Sequence, residues 1–195
     1  SIAAIAGREG RTPPEVAYDV LLEDEGRGFI YSPLVNYYNF DMAAVETMLA
    51  DPNVIMGLGD GGAHVGFILD AGFPTWLMTY WGRERGRFEM EEVIRRLTSD
   101  TAHASGLYDR GVIEVGKKAD LNVIDYDKVS FGKPYVTYDL PAGGRRLLQQ
   151  ASGYDATIVA GVITYRNGEA TGALPGKLVR GQRLGDEASA VIAAE

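Results

Sequence analysis

The 195-residue chain has no cysteine and only two histidines, His64 and His103. Without cysteine, the chain can form neither disulfides nor thiolate metal ligands, and this fits a reducing compartment. We therefore expect a cytoplasmic location. The two histidines form no H-x-H pair, and a catalytic zinc site usually takes three protein ligands.

Positive charge and long apolar runs are also scarce. Lysine and arginine number 19 against 27 aspartates and glutamates, which gives a formal net charge of -8. An acidic chain argues against non-specific nucleic-acid binding and against a polybasic membrane anchor. No apolar run approaches the length of a membrane span, and the first residues have no signal-peptide pattern. We expect neither nucleic acid nor a membrane as a partner.

Several segments before residue 109 have helical signals. The segment TPPEVAYDVLLEDEG begins with a capping box between Thr12 and Glu15 and ends at Gly26. A second helix is predicted after Asp41, and others over residues 74–86 and 89–107, where Thr98 or Ser99 is expected to cap a last short helix. The predicted inward side chains are Val16, Val20, Leu21, Val45, Met48, Leu49, Val93, Ile94 and Leu97.

From residue 109 onward the pattern changes to short β-rich runs. The segment TIVAGVITYRNGEATG predicts a hairpin with turns near Gly161 and at Asn167-Gly168. The segment PAGGRRLLQQ is predicted to be an irregular insert, and the tail DEASAVIAAE is expected to fray. These patterns divide the chain into residues 1–108 and residues 109–195.

The segment NVIMGLGDGGAHVG, residues 53–66, combines an apolar run with a carboxylate among glycines. The run over residues 54–58 is short and bounded by breakers, which predicts a strand buried on both faces of a parallel sheet. In such folds, ligands bind at the carboxyl ends of strands, where Asp60 would lie. Asp60 is therefore a candidate general base or metal ligand. An ordinary turn cap is the competing interpretation.

The same glycines match G-x-G-x-x-G, the dinucleotide fingerprint. That motif also needs a helix at the third glycine and an acid at the end of a second strand, roughly 20 residues on. Here Gly66 and Gly72 interrupt any early helix, and the later segment TYWGRERG is not a strand end. We therefore reject a nucleotide cofactor.

Three longer segments together resemble the N-acyl-D-amino-acid deacylases, the D-aminoacylase branch of the zinc-dependent amidohydrolase superfamily. They are GLGDGGAHVGFILDAGFPTWLMTYWGRERG, RRLTSDTAHASGLYDRGVIEVGKKADLNVIDYD and DLPAGGRRLLQQASGYDATIVAGVITYRNGEATGALPGKLVRG. The motif G-x-K-A-D-L-x-V-I-D indicates only the wider superfamily. DGGAHVG together with LPAGGRRLLQ points to this branch.

The resemblance implies an α/β fold: the last units of a (β/α)8 metal-dependent hydrolase barrel plus a small β-sandwich. Residues 1–108 would be the barrel part, and residues 109–195 the sandwich. It also implies that Asp60 is the catalytic acid/base and sometimes a metal ligand, in an enzyme that hydrolyses a small-molecule N-acyl amino acid. We expect Gly59, Gly61, Gly62 and His64 to contact the substrate or to support the site.

The departures from the family pattern are as informative as the matches. The branch binds zinc through an H-x-H pair, a bridging Cys, Lys or Glu and two later histidines, and this chain has no H-x-H and no cysteine. We therefore expect zinc in the parent family but not in this chain alone, which would be inactive. An incomplete barrel predicts self-association or a missing N-terminal half.

A different class of function stays open beside hydrolysis. The chain would then be a non-catalytic binding or assembly module, or a subunit that complements a separate metal-binding half. For the other polar residues the structural interpretation competes with the functional one. Arg83 and Arg85 would bind an anionic substrate group or form a solvated face, the tyrosines at 31, 37 and 38 would line a pocket or pack, and His103 would be a surface or packing residue.

Overall fold

The computed structural model of the chain describes residues 1–33, 35–37, 40–57, 59, 62 and 64–179. The chain forms two compact units, Ser1–Asp51 and Pro52–Glu195. From the sequence, we predict a different boundary, between a barrel part ending at residue 108 and a sandwich part beginning at residue 109. The division into two compact units does not test that prediction. In the part that the structure describes, no helix is long and apolar enough to cross a membrane.

The first unit contains α1 (Ile2–Glu9), α2 (Pro13–Gly26) and α3 (Ala43–Ala50). The predicted capping box of α2 is confirmed, since the backbone N–H of Thr12 donates to Glu15 Oε2 at 2.9 Å. The hydrogen bond from the Thr12 backbone lowers the pKa of Glu15 most, and the hydrogen bond from the Thr12 hydroxyl lowers it further. The start of α2 is therefore fixed by a local polar motif.

The predicted buried stripes of the first unit are only partly correct. Val16 is buried at 2% exposure, but Leu21 is 46% exposed and Met48 44%. Helical periodicity identifies an apolar face without showing whether a neighbour covers it. Within the unit, α2 packs against the eight-residue α1, which is too short to cover the whole face.

The strand predicted over residues 54–58 is wrong for its described part. Residues 54–57 form no strand, and Ile55 is 52% exposed while Met56 is buried at 3%. A strand needs a neighbouring strand to pair its backbone groups. Among the described residues before 121, no strand is available as that neighbour. Leu58 lies outside the described residues.

The second unit begins its regular structure with two long helical stretches. The first is α4 (Phe73–Trp76), which continues as a π-helical segment over Leu77–Glu84. The second runs from α5 (Met90–Arg95) through a π-helical segment, Arg96–Asp100, into α6 (Thr101–Ala104). Both predicted helices are confirmed.

The predicted cap at Thr98 or Ser99 is wrong. The Thr98 hydroxyl donates to the carbonyl oxygen of Ile94 at 2.6 Å, and that of Ser99 to Arg95 at 3.3 Å. Both side chains thus bond back along a continuous helix, as Ser and Thr do in helix interiors. Gly106 ends the helix with a φ of 70°, as its sequence position predicts.

Eight strands follow, and all their pairings are antiparallel in the described part of the chain. A four-stranded sheet has the order β1-β6-β7-β8, and β2-β5 and β3-β4 form separate pairs. The strands are β1 (Leu121–Ile124), β2 (Ser130–Phe131), β3 (Tyr135–Leu140), β4 (Gly144–Leu148), β5 (Ala151–Ser152), β6 (Tyr154–Val159), β7 (Val162–Arg166) and β8 (Glu169–Ala170). The chain is therefore a mixed helix and sheet protein.

The predicted hairpin is confirmed in both of its turns. Ala160 and Gly161 join β6 to β7 with φ values of 49° and 80°, and Asn167 and Gly168 join β7 to β8 with 51° and 83°. Paired positive φ values are the signature of the type I′ turn that matches strand twist. The segment predicted to be irregular instead forms β4, which β3 reaches through the single helical turn Pro141–Gly143.

Side chains from the first helical stretch hold the β region of the same unit. The Arg83 guanidinium donates to the carbonyl oxygens of Tyr126 and Val129, each at 2.8 Å. The hydroxyls of Thr75 and Tyr154 lie 2.7 Å apart and share a hydrogen bond. Because each contact crosses more than 40 residues of sequence, the helices and strands of this unit share one core around Trp81 and Val129.

Candidate functional site

Gly59 lies at a close approach between two stretches of backbone. A Cβ built on Gly59 would meet the carbonyl oxygen of Asp70 at 2.7 Å. No side chain fits there without moving the backbone, so glycine is required at position 59. The backbone at Gly59 thus lies directly against the backbone at Asp70, further along the chain. Asp60 and Gly61 lie outside the described residues.

The next two described residues, Gly62 and His64, both have a positive φ. Gly62 has a φ of 96° and His64 a φ of 47°, which is uncommon for a residue with a side chain. The carbonyl oxygen of His64 accepts hydrogen bonds from the N–H groups of Phe67 and Ile68, at 2.9 and 3.0 Å. The exposed imidazole lies beside Phe67, with ring centroids 5.2 Å apart.

Two contacts fasten this segment to distant strands. The Leu147 N–H in β4 donates to the carbonyl oxygen of Val65 at 2.8 Å. Gly72 lies so close to the ring of Phe131 that an added Cβ would be 2.5 Å from it. Val65, inside the turn, and Gly72, after it, are therefore anchored by the β region of the same unit.

The described residues do not fit a metal centre by themselves. Over residues 1–33, 35–37, 40–57, 59, 62 and 64–179, no three His, Asp or Glu side chains converge. Asp60, the predicted acid/base and ligand, is outside that set, and His64 is exposed. A catalytic zinc would need more ligands than these residues bring together.

Most of the other polar residues weighed from the sequence have structural partners. Arg83 is occupied by the two β-region carbonyls, so the structure does not bear out an anion-binding role for it. The Arg85 guanidinium lies over Tyr80, with its Cζ 5.9 Å from the ring centroid.

The aromatic candidates are exposed or lie outside the described residues. His103 is exposed beside Tyr108, with ring centroids 5.6 Å apart. Tyr31 is 85% exposed, and Tyr38 lies outside the described residues.

Ion pairs explain the charges flanking the turns of the β region. Asp139 accepts two hydrogen bonds from Arg146, whose guanidinium lowers the pKa of that carboxyl. Asp120 accepts a hydrogen bond from the Ala160 N–H at 2.8 Å and so satisfies the turn after β6. These groups stabilise turns and supply no reactive carboxylate.

The second unit contains an open apolar cleft of about 600 Å³ that the sequence did not predict. Its apolar walls include Ile55, Met56, Phe73, Met78, Ile94 and Leu97. The hydroxyl of Tyr154 on its rim is bonded to Thr75, and burial raises the pKa of that phenol. No local signal marks this cleft, because its walls come from segments up to about 100 residues apart.

A sequence model of the amidohydrolase family matches residues 2–165. The match spans most of the chain, including the glycine-rich segment, both helical stretches and most of the strands. The chain belongs to the amidohydrolase family.

The particular relatives confirm the resemblance to D-aminoacylase. A crystal structure of D-aminoacylase, described as defining a novel subset of amidohydrolases, is 25% identical with a TM-score of 0.54. The alignment covers 88% of this chain and 32% of that one. A second D-aminoacylase structure, which addresses the binuclear metal center of that enzyme, is 22% identical with a TM-score of 0.48, too low to bear on this chain.

Two curated mycobacterial proteins also match. Uncharacterized proteins of Mycobacterium tuberculosis and Mycobacterium bovis are each 28% identical over 181 residues, covering 87% of this chain. The chain spans about 28% of the length of these relatives.

Proposed function

We propose that the chain is the C-terminal part of a metal-dependent amidohydrolase that cleaves the C–N amide bond of N-acyl-D-amino acids. The observation that carries the proposal is the family match over residues 2–165, combined with the likeness to D-aminoacylase over 88% of the chain. The last units of a (β/α)8 barrel and a small β-sandwich are the proposed fold.

Asp60 is the proposed acid/base of this reaction. Its carboxylate takes a proton from the attacking water and passes it to the leaving amine as the C–N bond breaks, so that one water gives a carboxylic acid and an amine. The family match supports this role, because it includes position 60 and the glycine-rich segment around it. Gly59, Gly61, Gly62 and His64 are proposed to contact the substrate or to support the site.

Zinc is the metal that the resemblance implies for the parent enzyme. Because no three-ligand group exists among the described residues, we assign no step at a metal to this chain. The remaining ligands are proposed to come from an H-x-H-bearing half. Hydrolysis by the 195-residue chain alone is accordingly not expected, and the location is proposed to be cytoplasmic.

A role as an assembly module is the second candidate, and one observation favours it. Val112, Ile113 and Val115, which are interrupted only by Glu114, are exposed by 42%, 90% and 101%. Exposed aliphatic residues this close together are typical of a surface that another chain covers. Both candidates thus predict self-association or a complementing half, which size-exclusion chromatography with light scattering would detect.

The coding sequence upstream of Ser1 distinguishes the two candidates. Catalysis predicts an in-frame segment with H-x-H, and the extended protein should hydrolyse N-acetyl-D-amino acids faster than their L-enantiomers. The 195-residue chain, given zinc, should serve as the inactive control. A stop codon with no upstream H-x-H would exclude a single-chain hydrolase. If no separate H-x-H-bearing chain then restored hydrolysis on mixing, the catalytic proposal would be overturned in favour of the assembly module.

A further inference from the structure

The β3–β4 hairpin makes one backbone hydrogen bond to a segment outside the hairpin. Leu147 lies opposite Val136 in the hairpin, yet its N–H donates to the carbonyl oxygen of Val65 at 2.8 Å. In an antiparallel pair, alternate residues direct their N–H groups away from the partner strand. The outer edge of β4 therefore binds the backbone of the segment that follows the glycine-rich turn.

The bound segment has a backbone conformation that needs support. His64 has a φ of 47°, and its carbonyl oxygen closes the turn by accepting from Phe67 and Ile68. A non-glycine residue in the left-handed region persists only where its surroundings hold it there. The hydrogen bond at Val65 is the next backbone contact along the chain and comes from a strand 82 residues away.

The hairpin itself is interrupted near its tip and is held there by an ion pair. The ladder register shifts between Thr137 and Leu140. Across this gap, Arg146 donates to Asp139 through Nε at 2.7 Å and through Nη2 at 2.6 Å. A two-point Arg–carboxylate contact fixes orientation as well as distance, so it bridges the interrupted part of the ladder from Arg146, the residue before Leu147.

We propose that the β3–β4 hairpin clamps the turn over residues 64–68, and that Asp139 and Arg146 are positioning residues that act on this turn through Leu147. The consequence for catalysis rests on the proposed function, because it requires the neighbouring Asp60 to be the acid/base. The clamp itself does not depend on that role.

Amide hydrogen exchange, followed by NMR on the 195-residue chain, tests the clamp without any activity measurement. In Asp139→Asn, the amides of Leu147, Phe67 and Ile68 should exchange about two- to fivefold faster, the range expected for loss of an exposed two-point ion pair. The amide of Ala156 in β6 should keep its rate. Asp19→Asn, which breaks the exposed pair with Arg11 in the other unit, is the matched control and should change none of these amides.

Two further variants keep the test decisive. Leu147→Pro removes the donor on the outer edge of β4, where proline is tolerated, and should accelerate Phe67 and Ile68 while the Thr137 amide stays protected. Reversing the pair with Asp139→Arg and Arg146→Asp should restore the wild-type rates. Unchanged Phe67 and Ile68 rates in both Asp139→Asn and Leu147→Pro would overturn the proposal. A uniform increase that includes Ala156 would also overturn it, since it would show only a loss of general stability.

Discussion

The two compact units differ sharply in how much apolar side chain they bury. Ser1–Asp51 buries Ala6 and Val16, and its exposed side chains include Tyr18 at 64% and Leu22 at 52%. The larger unit has a core built around Trp81, which is 1% exposed. Its buried apolar residues are Met56, Leu77, Met78, Trp81, Phe88, Val93, Ala102, Val129 and Ala156.

This difference separates local from tertiary stabilisation. The first unit consists of helices set by their own ends, such as the capping box at Thr12, with few buried contacts behind them. Small units with little core have little stability of their own. In the second unit, side-chain contacts far apart in sequence hold helices against strands. We therefore expect the second unit to unfold cooperatively and the first to unfold at lower denaturant.

The largest expected effect is that of Trp81→Ala. Removing a fully buried indole should lower the free energy of unfolding of the second unit by about 3–5 kcal/mol. Urea denaturation followed by the fluorescence of Trp76, which lies in the same unit, measures this loss. Tyr138→Ala, at a site 68% exposed, is the control and should have little effect.

Urea denaturation of a core variant in the first unit tests whether the two units unfold separately. Val16→Ala should leave the Trp fluorescence transition unchanged while the early loss of helical circular dichroism moves to lower urea. If Val16→Ala shifted the Trp transition as far as Trp81→Ala does, the two units would not be energetically distinct.

A smaller effect is expected from Arg83→Met. This change removes the hydrogen bonds to the carbonyls of Tyr126 and Val129 and should cost about 1–2 kcal/mol, after allowance for the exposure of the arginine. Arg85→Met is the matched control, because Arg85 contacts only the face of Tyr80 among the interactions described for it. Equal urea midpoints for the two variants would show that Arg83 does not hold the β region.

Tyr154→Phe should be milder still. It removes the hydrogen bond shared with Thr75 and should lower the free energy of unfolding of the second unit by about 1 kcal/mol. Tyr165→Phe, at a side chain 48% exposed, should be neutral under the same urea denaturation. A larger loss in Tyr165→Phe than in Tyr154→Phe would contradict the helix-to-sheet contact described above.

The smallest expected effect is a pH dependence confined to the first unit. Because hydrogen bonds from Thr12 lower the pKa of Glu15 below its ordinary value of 4.5, this capping box stabilises α2 above pH 4.5. That contribution is lost as the pH falls through the lowered pKa. Amide exchange at Thr12 should therefore accelerate in acid beyond the intrinsic trend. Glu15→Gln should not show this acid step, and its presence there would point to another titrating group.

Local motifs made parts of this fold predictable. The turns at Gly161 and at Asn167-Gly168 are encoded within a few residues, as is the capping box at Thr12, and the structure contains all three. The strand predicted over residues 54–58 fails for its described residues, because pairing requires a second strand that the local pattern does not specify. The hairpin at β4 was missed because its glycines and proline indicate irregular structure even where a partner strand is adjacent.

The candidate site was predictable only in part. The sequence marks the glycines, and the contact between Gly59 and Asp70 gives a physical reason for one of them. The hydrogen bond that holds Val65 comes from Leu147 in β4, which is distant in sequence, so the local pattern could not show it. The roles of Asp60, Gly61, Gly62 and His64 stay predictions.

The kinetic effect of Asp60→Asn is the most direct test of the proposal that Asp60 is the catalytic acid/base. It should be measured in the extended protein that carries H-x-H, as kcat/KM for an N-acetyl-D-amino acid, with Asp19→Asn as a charge-matched control. We expect a loss of about 10²–10⁴-fold in Asp60→Asn and an unchanged value in the control. A value for Asp60→Asn within twofold of the wild type would contradict the assignment of position 60 as the acid/base.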